Sequence, residues 1–142
     1  MSAVTTTTWL EELYRLLRAN DVNIFGYVPD AGHKHLIDRA IEDSEVHAVS
    51  LTTEEEGIGL LTGAHLGGAK AVLLMQSSGV GNCINLLSLV KQGRFPFLTL
   101  VTMRGNFGEG NPWQFAMGQA TQAVLEAMGV IVLNAWTEDD VL

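Results

Sequence analysis

Five short, unbroken apolar runs alternate with stretches of helical periodicity along this 142-residue chain, and that alternation leaves few folds open to it. The runs cover residues 22–28, 46–51, 71–75, 97–103 and 130–133; Ala71-Val72-Leu73-Leu74-Met75 is typical. A strand with one face in water alternates apolar and polar side chains, so a run that is apolar at every position needs cover on both faces. The segments between the runs supply that cover. Residues 8–19 place Leu10, Leu13, Leu16 and Leu17 at helical spacing, and Thr8 followed by Glu11 fits a capping box. Further helices are predicted over 34–42, 55–66, 81–91 and 117–128, whereas 105–115 has loop composition and 139–142 reads as the start of one more helix. The expectation is an α/β fold, a three-layer doubly wound parallel sheet forming one domain over residues 1–142. No repeat, linker or low-complexity segment interrupts it.

Composition narrows the function classes. The chain is 47% hydrophobic, enough for a real core, and its 16 acidic against 8 basic side chains give a formal charge of −8. An acidic surface argues against nucleic acid and anionic membrane as partners, but not against a small anionic substrate, which needs only a local cluster of cations. Cys83 is the sole cysteine, which excludes an internal disulfide and a cysteine-based zinc site and suits a reducing cytoplasm. Residues 1–8 have neither the basic start nor the apolar core of a signal peptide, and no apolar run is long enough to span a membrane.

In doubly wound sheets ligands bind at the carboxyl ends of the strands. That directs attention to Pro29-Asp30-Ala31-Gly32-His33, Thr52 to Glu56, Gln76 to Asn82, and Arg104-Gly105-Asn106. Glu54-Glu55-Glu56 reads first as the acidic opening turn of a helix. Glu54 differs from its neighbours: it falls where the strand has ended and the helix has not begun, a place where a carboxylate can be partly buried and exchange a proton. Gly79 and Gly81 resemble half of a phosphate-cradling turn, or equally a tight turn with Ser78 or Asn82 as helix cap. Gly108-Glu109-Gly110 with Asn134 imitates a magnesium-diphosphate motif, but no buried strand precedes it and its acid is Glu, so a loop is expected and no metal site. Lys34 and His35 read as solvated; His33 and Arg104 stand at the binding edge, open to either reading.

At this point the pattern resembles a known family. Glu54-x-x-x-x-Gly59-Leu60-x-x-Gly63 is similar to the signature after the second strand of the pyrimidine-binding domain of thiamine diphosphate enzymes, in which a Gly nine positions after the Glu packs the helix against the sheet. Counting back from Gly63 selects Glu54. Met75 to Asn85 with Leu86-Leu87-Ser88-Leu89 resembles a second signature, in the form found in phosphonopyruvate and sulfopyruvate decarboxylases. Val28-Pro29-Asp30, Arg104-Gly105, Gly108-Glu109-x-Asn111-Pro112 and Met117-Gly118 match the same subgroup.

The resemblance implies a flavodoxin-like pyrimidine-binding fold and a division of labour. One domain holds the aminopyrimidine of thiamine diphosphate; another, expected on a separate beta chain of a hetero-oligomer, holds the diphosphate with Mg2+. Glu54 takes the cofactor-activating role by resemblance, with Pro29, Gln76 and Asn82 as candidates for the pyrimidine pocket. His33, Gln76 and Arg104 are candidates for the anionic end of a 2-oxo acid; Arg104 suits a sulfonate or phosphonate because its donors form a fixed fork. The implied activity is that of the alpha subunit of a decarboxylase, a carboxy-lyase, converting sulfopyruvate to sulfoacetaldehyde and carbon dioxide. The alternatives are phosphonopyruvate or another 2-oxo acid, or a non-catalytic assembly or regulatory domain.

Overall fold

A computed structural model describes residues 8–141; residues 1–7, where no signal peptide is expected, and Leu142 lie outside that range. The elements are α1 (Trp9–Ala19), β1 (Val22–Tyr27), α2 (Lys34–Glu42), β2 (His47–Ser50), α3 (Glu54–Leu66), β3 (Lys70–Gln76), α4 (Ser77–Cys83), α5 (Leu87–Gly93), β4 (Thr99–Thr102) and α6 (Phe115–Ala127), with 3-10 turns at Ala31–His33, Pro112–Gln114 and Glu138–Asp140.

The expected parallel sheet is present with the order β2-β1-β3-β4. β3 explains the unbroken apolar runs. Val72 and Leu74 point into one core with Leu13, Tyr14, Phe25 and Leu36, while Leu73 and Met75 point into the other with Ile58, Leu61, Val80 and Leu125. α1 and α2 therefore cover one face of the sheet and α3 to α6 the other.

Three expectations are corrected. Residues 130–133 form no fifth strand: they make no sheet pairing, and the Val130 N–H closes the end of α6 on the Leu125 carbonyl. Val130 and Val132 pack partly against the core, but Ile131 and Leu133 stay almost fully exposed because no strand lies beside β4 to receive them. The helix predicted over 81–91 is two short helices, α4 and α5. α4 starts directly after β3, so Gly79 and Gly81 lie inside it. The helical spacing of the buried Ser77, Val80, Cys83 and Leu87 overrides the glycines as loop signals, and the phosphate-cradling reading falls with the loop. Gly63 does not pack α3 on the sheet; it faces open space, and Gly57 makes that contact instead, with a Cβ there 2.4 Å from Leu73 Cδ1. Of residues 139–142, read as the start of a further helix, Asp139 and Asp140 lie in the 3-10 turn Glu138–Asp140.

The capping box at α1 is half formed. Thr8 Oγ1 accepts the Glu11 N–H at 3.4 Å, but the Glu11 carboxylate turns away to Arg39 Nε (2.9 Å), His35 Nε2 (3.2 Å) and Arg15 Nε (3.2 Å), tying α1 to α2. Arg39 above all holds the Glu11 carboxyl below the usual carboxylate range, against an opposing effect of burial. A carboxyl lowered in the folded state contributes stability above its unfolded value, near 4.5, and loses it as pH falls through the folded value. Glu11→Gln is therefore expected to cost about 1 kcal/mol near pH 7, in the range of partly exposed ion pairs. In denaturant titrations across pH, the gap to the wild type should close below the usual carboxylate range.

Candidate active site

The strand order reverses between β1 and β3, and the site residues gather at the carboxyl ends of those strands and their neighbours. Glu54 is the first residue of α3, one position earlier than expected. Of the three adjacent acids it alone is buried, 6% exposed, while Glu55 and Glu56 face solvent. Glu56 folds back to accept the Thr52 N–H at 2.8 Å, the local helix-start role foreseen for it. Negative charge at a helix N-terminus is favoured by the helix dipole.

Two neighbours set the direction of the Glu54 carboxyl. Asn82 Nδ2 donates to Oε2 at 2.8 Å. Gly79 lies directly beneath: a Cβ there would sit 2.4 Å from Glu54 Cδ and Oε1. Among the described residues, Oε1 has no hydrogen-bond partner, and it is not sealed from solvent. The result is a largely buried carboxyl with one oxygen held and the other presented. Cys83, one turn along α4, is fully buried; burial first, and then the charges of Glu54 and Glu55, push its thiol up to about 12.

A second cluster lies on the other side of the β3 terminus. Arg104, just beyond β4, donates from Nη2 to Asp30 Oδ1 at 2.5 Å. Ser77, the first residue of α4, accepts the Arg104 N–H on Oγ at 2.9 Å. His33 is brought to the same edge but turned inward: it is 5% exposed with Nε2 3.1 Å from the Met75 carbonyl, and burial pushes its pKa below the usual histidine value. The ring is then neutral near pH 7, with Nε2 as donor and only Nδ1 left for another partner. Gln76 is half-buried at the N-cap of α4 and makes no capping bond. Pro29 is exposed and borders a shallow depression of about 380 Å³ with Asp30, Ala31, Lys34, Ile37 and Asp38. Lys34 pairs with Asp38 on the surface, as expected of a solvated residue.

The two clusters are separate, with the Gln76-Ser77 turn between them. Asp30 and Ser77 lie in segments the sequence singles out by position but were given no role there, and Thr102, whose hydroxyl donates to Asp30, was not singled out. The signal available for each was its position just past, or at the last residue of, a strand. Glu109 and Asn134 are not brought together: Glu109 accepts the N–H groups of Asn111 (2.8 Å) and Gly105 (3.2 Å) within its own loop, which lowers its pKa, and Asn134 donates to Gln122.

No protein-family profile matches the chain. Individual proteins do. The chain is 38% identical over 131 residues to sulfopyruvate decarboxylase subunit alpha of Methanococcus maripaludis, spanning 92% of this chain and 78% of that one. It is 36% identical over 129 residues to the same subunit of Methanocaldococcus jannaschii, spanning 90% and 76%. A phosphonopyruvate decarboxylase of Streptomyces viridochromogenes is 37% identical over 93 residues, 64% of this chain and 23% of that one. Fold and site edge thus define a doubly wound α/β domain of the 2-oxo acid decarboxylase kind. The chain belongs to the family of sulfopyruvate decarboxylase alpha subunits. No helix among the described residues is long and apolar enough to cross a membrane.

Two outcomes are expected of this geometry. Gly79→Ala should destabilise the fold by about 1–3 kcal/mol, because the added methyl must displace the Glu54 side chain; an unchanged denaturation midpoint would mean that Glu54 moves aside freely. The Cys83 thiol should resist alkylation by iodoacetamide in the native protein near pH 8 and react on unfolding.

Proposed function

We propose that this chain supplies the aminopyrimidine-binding half of a thiamine diphosphate-dependent decarboxylase acting on sulfopyruvate. A beta subunit completes the site by holding the diphosphate and Mg2+. The observation that carries this reading is the Glu54 carboxyl, largely buried, with Oε2 held by Asn82 and Oε1 presented above Gly79. The chemistry of these groups fits the pyrimidine end of the cofactor. Oε1 can meet a ring nitrogen, and the missing Cβ at Gly79 leaves the room that the carboxyl occupies. Bound thiamine diphosphate supplies a carbon nucleophile and an electron sink for the departing carbon dioxide. The protein's part is to hold and orient: Glu54 maintains the proton on its side of the pyrimidine, Asn82 keeps the carboxyl from rotating, and Pro29 and Gln76 border the ring.

For the substrate, Arg104 meets the sulfonate, with the Gln76 side-chain amide as a second donor and His33 at the same edge. The names of the relatives support the reaction, and those of the Methanococcus and Methanocaldococcus proteins, which are alpha subunits, support the two-chain arrangement. Glu54 lines neither the depression at Pro29 nor the groove of about 500 Å³ beside β4, which suits a carboxyl whose site is closed by another chain. The cytoplasm is the compartment proposed, in keeping with a single reduced cysteine.

The test is reconstitution. The chain alone should release no carbon dioxide from sulfopyruvate. With a beta chain carrying Gly-Asp-Gly and a downstream Asn it should turn over, and Glu54→Gln should lower kcat by about 10²–10⁴-fold while assembly persists. Turnover by the isolated chain would sink the split site, and near-normal turnover by the assembled variant would sink the role of Glu54. A second substrate, phosphonopyruvate, has support of its own, because phosphonopyruvate decarboxylases match the chain at 36–37% identity; kcat/KM for both acids in the same complex separates the two.

A further inference from the structure

A second buried carboxylate stands on the same sheet edge, and the chemistry above makes no use of it. The Asp30 side chain is 4% exposed and surrounded by donors. Oδ1 accepts from Arg104 Nη2 at 2.5 Å; Oδ2 accepts from Thr102 Oγ1 at 2.6 Å and from the Gly32 N–H at 3.2 Å. Gly32 permits this closeness: a Cβ there would lie 2.6 Å from Thr102 Cγ2 and 3.0 Å from Asp30 Oδ2.

The other end of Arg104 is held as firmly. Its N–H donates to Ser77 Oγ, and the Ser77 hydroxyl donates back to its carbonyl at 3.4 Å. α6 lies against that carbonyl so closely that a Cβ on Gly118 would come within 1.9 Å of it. Residues at the ends of β1, β3 and β4, together with α6, thus hold one arginine. Its side chain is nevertheless 31% exposed, and among the described residues only Nη2 is engaged. Nε and Nη1 remain as donors in the fork.

An arginine that has to be ordered by its ligand loses rotamer entropy at the moment of binding and weakens affinity accordingly. Here a charge-assisted bond to a nearly sealed carboxylate orders it beforehand. Asp30 has no oxygen left uncommitted, in contrast to Glu54, so it has nothing to offer a substrate directly. We propose that Asp30 is a positioning residue, holding Arg104 in the orientation that receives the anionic end of the substrate. The inference rests on the reading above, in which Arg104 meets that anion.

The experiment is steady-state kinetics of the assembled alpha–beta complex on sulfopyruvate for wild type, Asp30→Asn, Thr102→Val, Arg104→Ala and the Asp30→Asn/Arg104→Ala double variant. Asp30→Asn should raise KM about tenfold with kcat changed far less, the expected size for losing one pre-ordered side chain. Thr102→Val, which removes one bond and no charge, should raise KM by about threefold. Asp30→Asn should add nothing to KM in the Arg104→Ala background. An unchanged KM in Asp30→Asn, or an equal further loss in the absence of Arg104, overturns the inference, because a purely structural brace would behave that way. Should Asp30→Asn fail to assemble, Thr102→Val decides, and an unchanged KM there has the same consequence. A wild-type complex inert towards both sulfopyruvate and phosphonopyruvate overturns the functional reading and this inference with it; an active complex with insensitive KM overturns this inference alone.

Discussion

The burial of β3 on both faces is the constraint from which the rest follows. Val72, Leu73, Leu74 and Met75 are each 0% exposed, and alternate members enter opposite cores. Each such side chain contributes about 1.5–3 kcal/mol when taken fully out of water. A strand held this tightly gives its carboxyl end a well-defined place. α4 begins at the very next residue, so no flexible connection separates the sheet from the site. Ser77, the first residue of that helix, anchors the backbone of Arg104, and Gly79, two residues on, lies under Glu54. One short turn therefore positions both clusters.

The two buried acids at this edge illustrate how environment separates roles. Asp30 has donors on both oxygens and a cation at contact distance, an arrangement complete in itself. Glu54 has a donor on one oxygen only and no cation among its hydrogen-bond partners. Burying a carboxylate is costly unless it is paired and hydrogen-bonded; Asp30 meets that condition within the chain, whereas Glu54 keeps one oxygen without a donor among the described residues.

Much of the fold was legible in the sequence because burial leaves a periodic record. The first three strands and α1, α2 and α3 fall within a residue or two of their expected bounds. Failures occurred where a contact from elsewhere overrode a local signal. Gly79 and Gly81 read as a loop, but Glu54 and Met117 pack against them from other elements and the segment is helical. Residues 130–133 are apolar enough for a strand, yet pairing needs a neighbouring edge at the right distance, and sequence carries no record of that distance. Gly63 singled out Glu54 through spacing, although the glycine that meets the sheet is Gly57.

By itself the sequence determined the parallel α/β class, the acidic character, and the placement of Glu54 and Arg104 at the carboxyl edge of the sheet, since these depend on local pattern and on the order of elements. The tertiary structure alone decided that Glu54 packs against Gly79 and is held by Asn82, and that Arg104 is paired with Asp30. Those pairs lie 28 and 74 residues apart along the chain. Only the pairing of β2, β1, β3 and β4 in one sheet, with the helices packed on it, brings their side chains within hydrogen-bonding reach.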